Sequence, residues 1–144
     1  MWYKRQIYVE IVPVLTDSLG RVVQVGSLLC VGHDGSVERT LITGRVLYHE
    51  TLREAIARNV AKDLGEIALP VLPQGLQPFT VAEFFPTPGL SEFYDPRQHA
   101  VALCYVVSIA GELKSRDEAL CRACKHICSC RRSCRRKSLL PYAR

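Results

Sequence analysis

No run of residues in this 144-residue chain is long enough or apolar enough to span a bilayer, which excludes a helical membrane protein. The first residues, MWYKRQIYVEIVPVLTD, lack the uninterrupted apolar core and small-residue cleavage site of a secretory signal. Cysteine is scarce through most of the chain, with five of the seven lying after residue 113. The expectation is a cytoplasmic protein whose thiols stay reduced. No internal repeat is visible, so the length suggests one domain with room for a sizeable core.

The overall net charge of +5 is unevenly shared. Residues 1–113 hold nine Lys/Arg against twelve Asp/Glu, a net of −3, and residues 114–144 hold ten against two, a net of +8. A mildly acidic domain therefore carries a cationic, cysteine-rich tail, and the boundary is placed at 118/119.

Ile7, Val9 and Ile11 alternate with Tyr8 and Glu10, which predicts a strand with one buried face that ends, bulges or meets an edge at Pro13. A turn at 16–20 leads to a second strand over 21–31, another turn at Gly32–Gly35, and a third strand over 36–42. Residues 68–78 hold three prolines and a glycine and read as a loop. Phe79–Phe85 and Gln98–Ile109 read as strands, the latter central and buried. Leu90–Pro96 is a polar and aromatic surface loop.

Between the third and fourth strands lies a helix with both ends written in the sequence. Thr51 and Glu54 form a capping box, in which each side chain satisfies an orphan amide of the first turn. Leu52, Ala55, Ile56, Val60 and Leu64 make one apolar stripe, no proline interrupts it, and Gly65 stands where a left-handed cap is expected. Asn59 and Asp63 sit four apart on the border of that stripe, where a helix that only filled a core would not place an amide and a carboxylate. A polar site is expected to face them. The bland alternative is two partly solvated residues at the border of a packed helix.

The order Gly44, Glu50, Arg58, Val60, Asp63, Gly65 resembles the Nudix box, G-x5-E-x7-R-E-U-x-E-E-x-G-U, with U a bulky aliphatic. Asn59 and Lys62 stand where the pattern has glutamates, Asp63 is a shortened form of its last glutamate, and Glu66 replaces an aliphatic. Thr43 stands where the first of two glycines is usual, and His49 where a glycine often precedes the loop glutamate. The chain is thus similar to a divergent branch of the Nudix family with a degenerate box. The resemblance implies an α/β/α sandwich (a mixed sheet packed by helices, α/β or α+β) over about residues 5–118. A second helix is expected to begin near Asp117–Leu120.

In that family the helix glutamates hold Mg²⁺ or Mn²⁺ against a diphosphate. The resemblance implies Glu50 and Asp63 as metal ligands, and Glu50 and Arg58 in the catalytic apparatus, with Arg58 bracing Glu50 or Glu54. Lys62 is a candidate to meet phosphate directly in place of a metal charge, or else a solvated lysine. Glu83, Arg97 and His99 are candidates for the rest of the ligand, and an exposed strand glutamate is the plainer reading of Glu83. The three helix positions 59, 62 and 63 sum to zero charge where the pattern supplies three negative charges.

The tail places Cys121, Cys124, His126, Cys128, Cys130 and Cys134 within fourteen residues rich in arginine. Zinc favours four such ligands, although structural sites usually separate two pairs by a folded insert. Non-specific nucleic-acid binding is disfavoured because no aromatic lies among these arginines. The abrupt change of composition near Leu120–Cys121 fits a disordered tail or one translated in a shifted frame.

Two functions follow from the resemblance. One is a metal-assisted hydrolase of a nucleoside diphosphate linked to another group. The other is a non-catalytic domain that binds a nucleotide-like ligand or a protein through the same cleft. The expected partner is a nucleotide-like small molecule, with no membrane and no nucleic acid, and a homodimer is left open.

Overall fold

A computed structural model describes residues 5–31, 36–111 and 124–127. The turn expected at Gly32–Gly35, the second helix expected near Asp117–Leu120 and most of the cysteine-rich tail lie outside the described residues. The elements are β1 (Gln6–Thr16), β2 (Val22–Val25), β3 (Leu28–Val31), β4 (Val37–Thr40), β5 (Ile42–Arg45), α1 (Leu52–Leu64), β6 (Leu69–Val71), β7 (Thr80–Phe85), β8 (Phe93–Tyr94), β9 (Ala100–Ala110) and β10 (Cys124–Ile127). No helix among the described residues is long and apolar enough to cross a membrane.

Among these residues a seven-stranded mixed sheet runs β2-β1-β9-β7-β8, with β5 also paired to β1 and β6 to β9. Its spine is the parallel pair β1 and β9, in register from Gln6 opposite Ala100 to Val14 opposite Ser108. A smaller antiparallel sheet runs β10-β3-β4. The mixed α/β class expected from the sequence is the one observed.

Several boundaries differ from the sequence expectation, each for a tertiary reason. β1 does not end at Pro13. Its free side is shared, with β5 pairing residues 8–11 and β2 pairing 14–16, and Pro13 falls in the gap between them. Its carbonyl accepts from Gly26 N at 2.8 Å on that side, so the missing N–H falls at the end of the β2 ladder and not within it. The expected second strand is two, β2 and β3, broken at Gly26–Ser27, and the expected third is β4 followed by β5. The stretch from Thr43 to Arg45, expected as loop, is therefore strand. Within the expected loop 68–78, β6 pairs with the end of β9, and its Pro70 sits on an edge strand.

α1 begins and ends close to expectation. Thr51 caps it, its backbone N–H donating to Glu54 Oε2 at 2.8 Å while Glu54 N–H donates to Thr51 Oγ1 at 3.3 Å. Gly65 N–H donates to Ala61 O at 2.9 Å, closing the last turn. The residue is not in the left-handed helical region, however. At φ 88° and ψ 167° it adopts a conformation reserved for glycine that sends the chain out extended towards β6.

The stripe packs onto one face of the sheet. Ala55, Ile56, Val60 and Leu64 join Val9 and Ile11 of β1, Ile42 of β5, and Tyr105, Val107 and Ile109 of β9 in one buried cluster. Each fully buried aliphatic side chain there contributes about 1.5–3 kcal/mol. Arg53 ties the helix to the following loop through the carbonyls of Pro73 and Gln74.

The Tyr105 hydroxyl is buried in this cluster without a hydrogen-bond partner among the described residues. An orphaned hydroxyl costs about 1–3 kcal/mol. Tyr105→Phe is therefore expected to raise the denaturation midpoint by about 1 kcal/mol in stability at unchanged m-value. A lower midpoint would mean that the hydroxyl is bonded.

Candidate active site

The loop 46–50 joins β5 to α1 and is held by one carboxylate. Arg58 reaches back from the second turn of α1 and grips Glu50 with two bonds, Nε to Oε1 at 2.6 Å and Nη2 to Oε2 at 2.9 Å. Leu47 N–H adds a third at 2.8 Å, and Arg58 Nη2 also donates to Arg45 O at 2.7 Å. Both oxygens of Glu50 are thus engaged within the protein. Of the two partners proposed from the sequence, Arg58 takes Glu50, and Glu54 is used by the cap. His49, at the position where the pattern often has glycine, has φ 61°, a left-handed conformation that costs a side-chain-bearing residue about 1–2 kcal/mol.

The Arg58 guanidinium, helped by the Leu47 amide, lowers the Glu50 pKa from its ordinary 4.5 to about 2. The brace is accordingly complete above pH 4.5 and is lost as pH falls from there through about 2. Arg58→Ala should return the Glu50 titration towards 4.5. Carboxyl ¹³C shifts across the acid range read this directly, and a wild-type Glu50 titrating near 4.5 would deny the brace.

Further along α1, Asn59 is buried at 1% exposure against the backbone of β5. Its Nδ2 donates to Ala55 O at 2.8 Å, and its amide lies over Gly44. A Cβ at Gly44 would stand 1.9 Å from Asn59 Oδ1, so only glycine fits. Lys62 folds back over the same spot. Its Nζ donates to Thr43 O at 3.0 Å and to Asn59 Oδ1 at 3.3 Å, and lies 3.7 Å from Asp63 Oδ1. Burial raises the Asp63 pKa, and Lys62 opposes that shift.

The other candidates form separate pairs around β7 and the start of β9. Glu83 lies opposite Val101 and His99 just precedes β9; the two meet at 2.8 Å, Nε2 to Oε1. His99 also packs edge-on against Phe85 with ring centroids 4.7 Å apart. Because Val101 and Leu103 lie opposite Ile7 and Val9, Glu83 shares the sheet face that α1 covers. Arg97 grips Asp95 through two bonds of 2.9 Å, which with Gln98 lowers the Asp95 pKa to about 2.

Sequence reasoning missed the cleft beside the brace. Arg5, Gln6, Ile7, Arg45, Val46, Leu47 and Tyr48 line a hollow of ≈ 720 Å³. The Tyr48 ring stands 92% exposed at its edge. The cleft forms because β5 pairs with β1 and carries Arg45 to Tyr8, whose hydroxyl accepts from Arg45 Nε at 3.3 Å. The missing signal is the strand over residues 43–45, which reads as loop in the sequence.

No set of three His, Cys, Asp or Glu side chains converges to hold a metal among the described residues. At the three helix positions the donors are one amide, one ammonium and one carboxylate, and the ammonium stands among the oxygens that a dication would need. These residues do not fit a resident Mg²⁺ or Mn²⁺.

Comparison with known proteins places this geometry. A family model described as a domain of unknown function (DUF4916) matches residues 4–127. A structure from Jonesia denitrificans, described as a possible asymmetric diadenosine tetraphosphate hydrolase, is 44% identical. It superimposes at a TM-score of 0.77, over 89% of this chain and 77% of that one. A Nudix-family hydrolase from Clostridium perfringens matches at TM-score 0.58 and 13% identity, over 89% of this chain and 82% of that one. The chain belongs to the DUF4916 family, and it has the Nudix fold. The Nudix domain of Shewanella oneidensis NrtR, solved with ADP ribose, shares the fold at TM-score 0.55 and 13% identity, over 90% and 75% of the two chains. No curated protein matches. Gly44, the Glu50–Arg58 pair and the Gly65 exit are in place around α1, while positions 59, 62 and 63 bring an amide, an ammonium and a carboxylate together.

Proposed function

We propose that this Nudix domain binds a nucleoside diphosphate linked to a second group, and that it hydrolyses that linkage poorly or not at all. The observation that carries the reading is the split within the box. The brace that shapes the ligand loop is complete, whereas the helix positions that hold metal in a Nudix site present Asn59, Lys62 and Asp63. The cleft beside the brace supplies what an anionic nucleotide needs. Arg5 and Arg45 offer guanidinium groups to phosphate, and the exposed Tyr48 offers a ring face to a base. Glu83, His99 and Arg97 are candidates for contacts to the second group. Glu50 and Arg58 act here as positioning residues, because their polar atoms are spent on each other and on the loop backbone.

The second reading is a Nudix hydrolase that uses Mg²⁺ or Mn²⁺ with Glu50 and Asp63. It is favoured by the retention of those carboxylates in register and by the description of the Jonesia relative. Phosphate and nucleotide release from a panel of diphosphate-linked nucleosides, with Mg²⁺, Mn²⁺ or EDTA, separates the two. The proposal expects ligand-induced stabilisation without release. Robust metal-dependent release, lost in Asp63→Ala, establishes the hydrolase.

A further inference from the structure

The oxygens around Lys62 are arranged as the donor set of a cation. Thr43 contributes a backbone carbonyl, Asn59 an amide oxygen and Asp63 a carboxylate oxygen, at 3.0, 3.3 and 3.7 Å from Nζ. An ammonium has three N–H donors; two of them bond Thr43 O and Asn59 Oδ1, and the Asp63 carboxylate adds an ion pair at 3.7 Å. The orientation of Asn59 is fixed from both ends. Its NH₂ group must face Ala55 O, and a flipped amide would set one acceptor against another there and one donor against the ammonium. Gly44 admits the Asn59 side chain at this depth because it has no Cβ to obstruct it. Four residues of two elements, β5 and α1, therefore surround one positive charge, and that charge belongs to the protein.

We propose that the Lys62 ammonium is the built-in cation of this site, standing where a Nudix helix with three carboxylates holds its divalent metal. The folded domain then carries no metal on α1 and needs none to keep β5 and α1 together. The inference rests on the reading of this helix as the Nudix site, but not on the identity of the ligand. It also differs from a lysine that simply reaches out to phosphate. The Lys62 side chain is half exposed, yet its ammonium bonds protein oxygens, and what it contributes to a bound diphosphate is a positive charge held at that position.

The test uses the full chain and Mn²⁺ alone. Wild-type protein is expected to show no stoichiometric Mn²⁺ binding by electron paramagnetic resonance, and the same Tm in EDTA and in millimolar Mn²⁺. Lys62→Ala removes the ammonium and leaves the three oxygens. It should melt lower than wild type in EDTA, regain part of that loss with Mn²⁺, and bind Mn²⁺ at least about tenfold more tightly than wild type. Lys62→Arg keeps the charge and should remain indifferent to Mn²⁺. One tightly held Mn²⁺ per wild-type chain, abolished by Asp63→Ala, would overturn the proposal. So would a Lys62→Ala variant that melts like wild type and ignores Mn²⁺. No nucleotide enters the experiment, so its failure leaves the nucleotide-binding reading standing, and the failure of that reading leaves this result intact.

Discussion

Gly44→Ala is expected to destabilise the domain by about 3 kcal/mol, a fall in Tm on the order of 10 °C. The added methyl carbon would lie 1.9 Å from Asn59 Oδ1, 2.4 Å from its Cγ and 2.6 Å from its Nδ2. Rotation of Asn59 would not be a cheap escape. The side chain is buried, and moving it breaks its bond to Ala55 O and its contact with the Lys62 ammonium. The strand cannot easily retreat either, because Gly44 lies opposite Val9 in the β1–β5 pair and Val9 is fully buried. Strain in the backbone is not the issue, since Gly44 has no positive φ. Shortening the obstructing side chain should therefore rescue the variant. Gly44→Ala combined with Asn59→Ala is expected to recover much of the loss, with a coupling energy above about 1 kcal/mol between the two positions. Equal melting of Gly44→Ala and wild type would show that the close approach is absent in solution.

The second large effect is a gain. Asn59→Glu with Lys62→Glu changes the charge at the three helix positions from zero to −3, by removing one cation and adding two carboxylates. Mg²⁺ and Mn²⁺ are hard cations that favour carboxylate oxygens, and Asp63 already stands beside the new pair. The double variant should bind Mn²⁺ at least about a hundredfold more tightly than wild type and acquire metal-dependent hydrolysis of diphosphate-linked nucleosides. The longer side chain at position 59 enters a crowded site, at a cost of about 1–3 kcal/mol without metal. Stabilisation of the variant by Mn²⁺ should offset part of that cost. Adding Asp63→Ala should undo the gain in binding. If the double variant folds and still binds no metal, the oxygens of this helix do not converge as described.

The helix and its function in the fold could be read from the sequence because their causes are local. A capping box needs only Thr51 and Glu54, and the apolar stripe needs only its spacing, so both ends of α1 were placed within a residue. The order of the box residues likewise points to the fold, and it leaves Arg58 to brace either Glu50 or Glu54. What the sequence concealed was tertiary. Residues 43–45 have no strand signature of their own and become part of β5 through the free edge of β1. Pro13 reads as a strand breaker until the gap between β5 and β2 is seen. Asn59 was expected to face a polar site, and it faces the bare Cα of Gly44, a contact no spacing rule encodes. Lys62 could be read as a phosphate ligand or a solvated lysine, because nothing in the chain order announces that the carbonyl of Thr43 lies within its reach.

The central proposal is that this Nudix-fold domain recognises a diphosphate-linked nucleotide without a resident metal. Isothermal titration of such compounds into the full chain, once in EDTA and once in millimolar Mg²⁺, tests it most directly. The account predicts one binding site with the same Kd in both buffers, weakened at least about tenfold by Arg45→Glu in the cleft. Binding that appears only with Mg²⁺, or that is indifferent to Arg45→Glu, would contradict it.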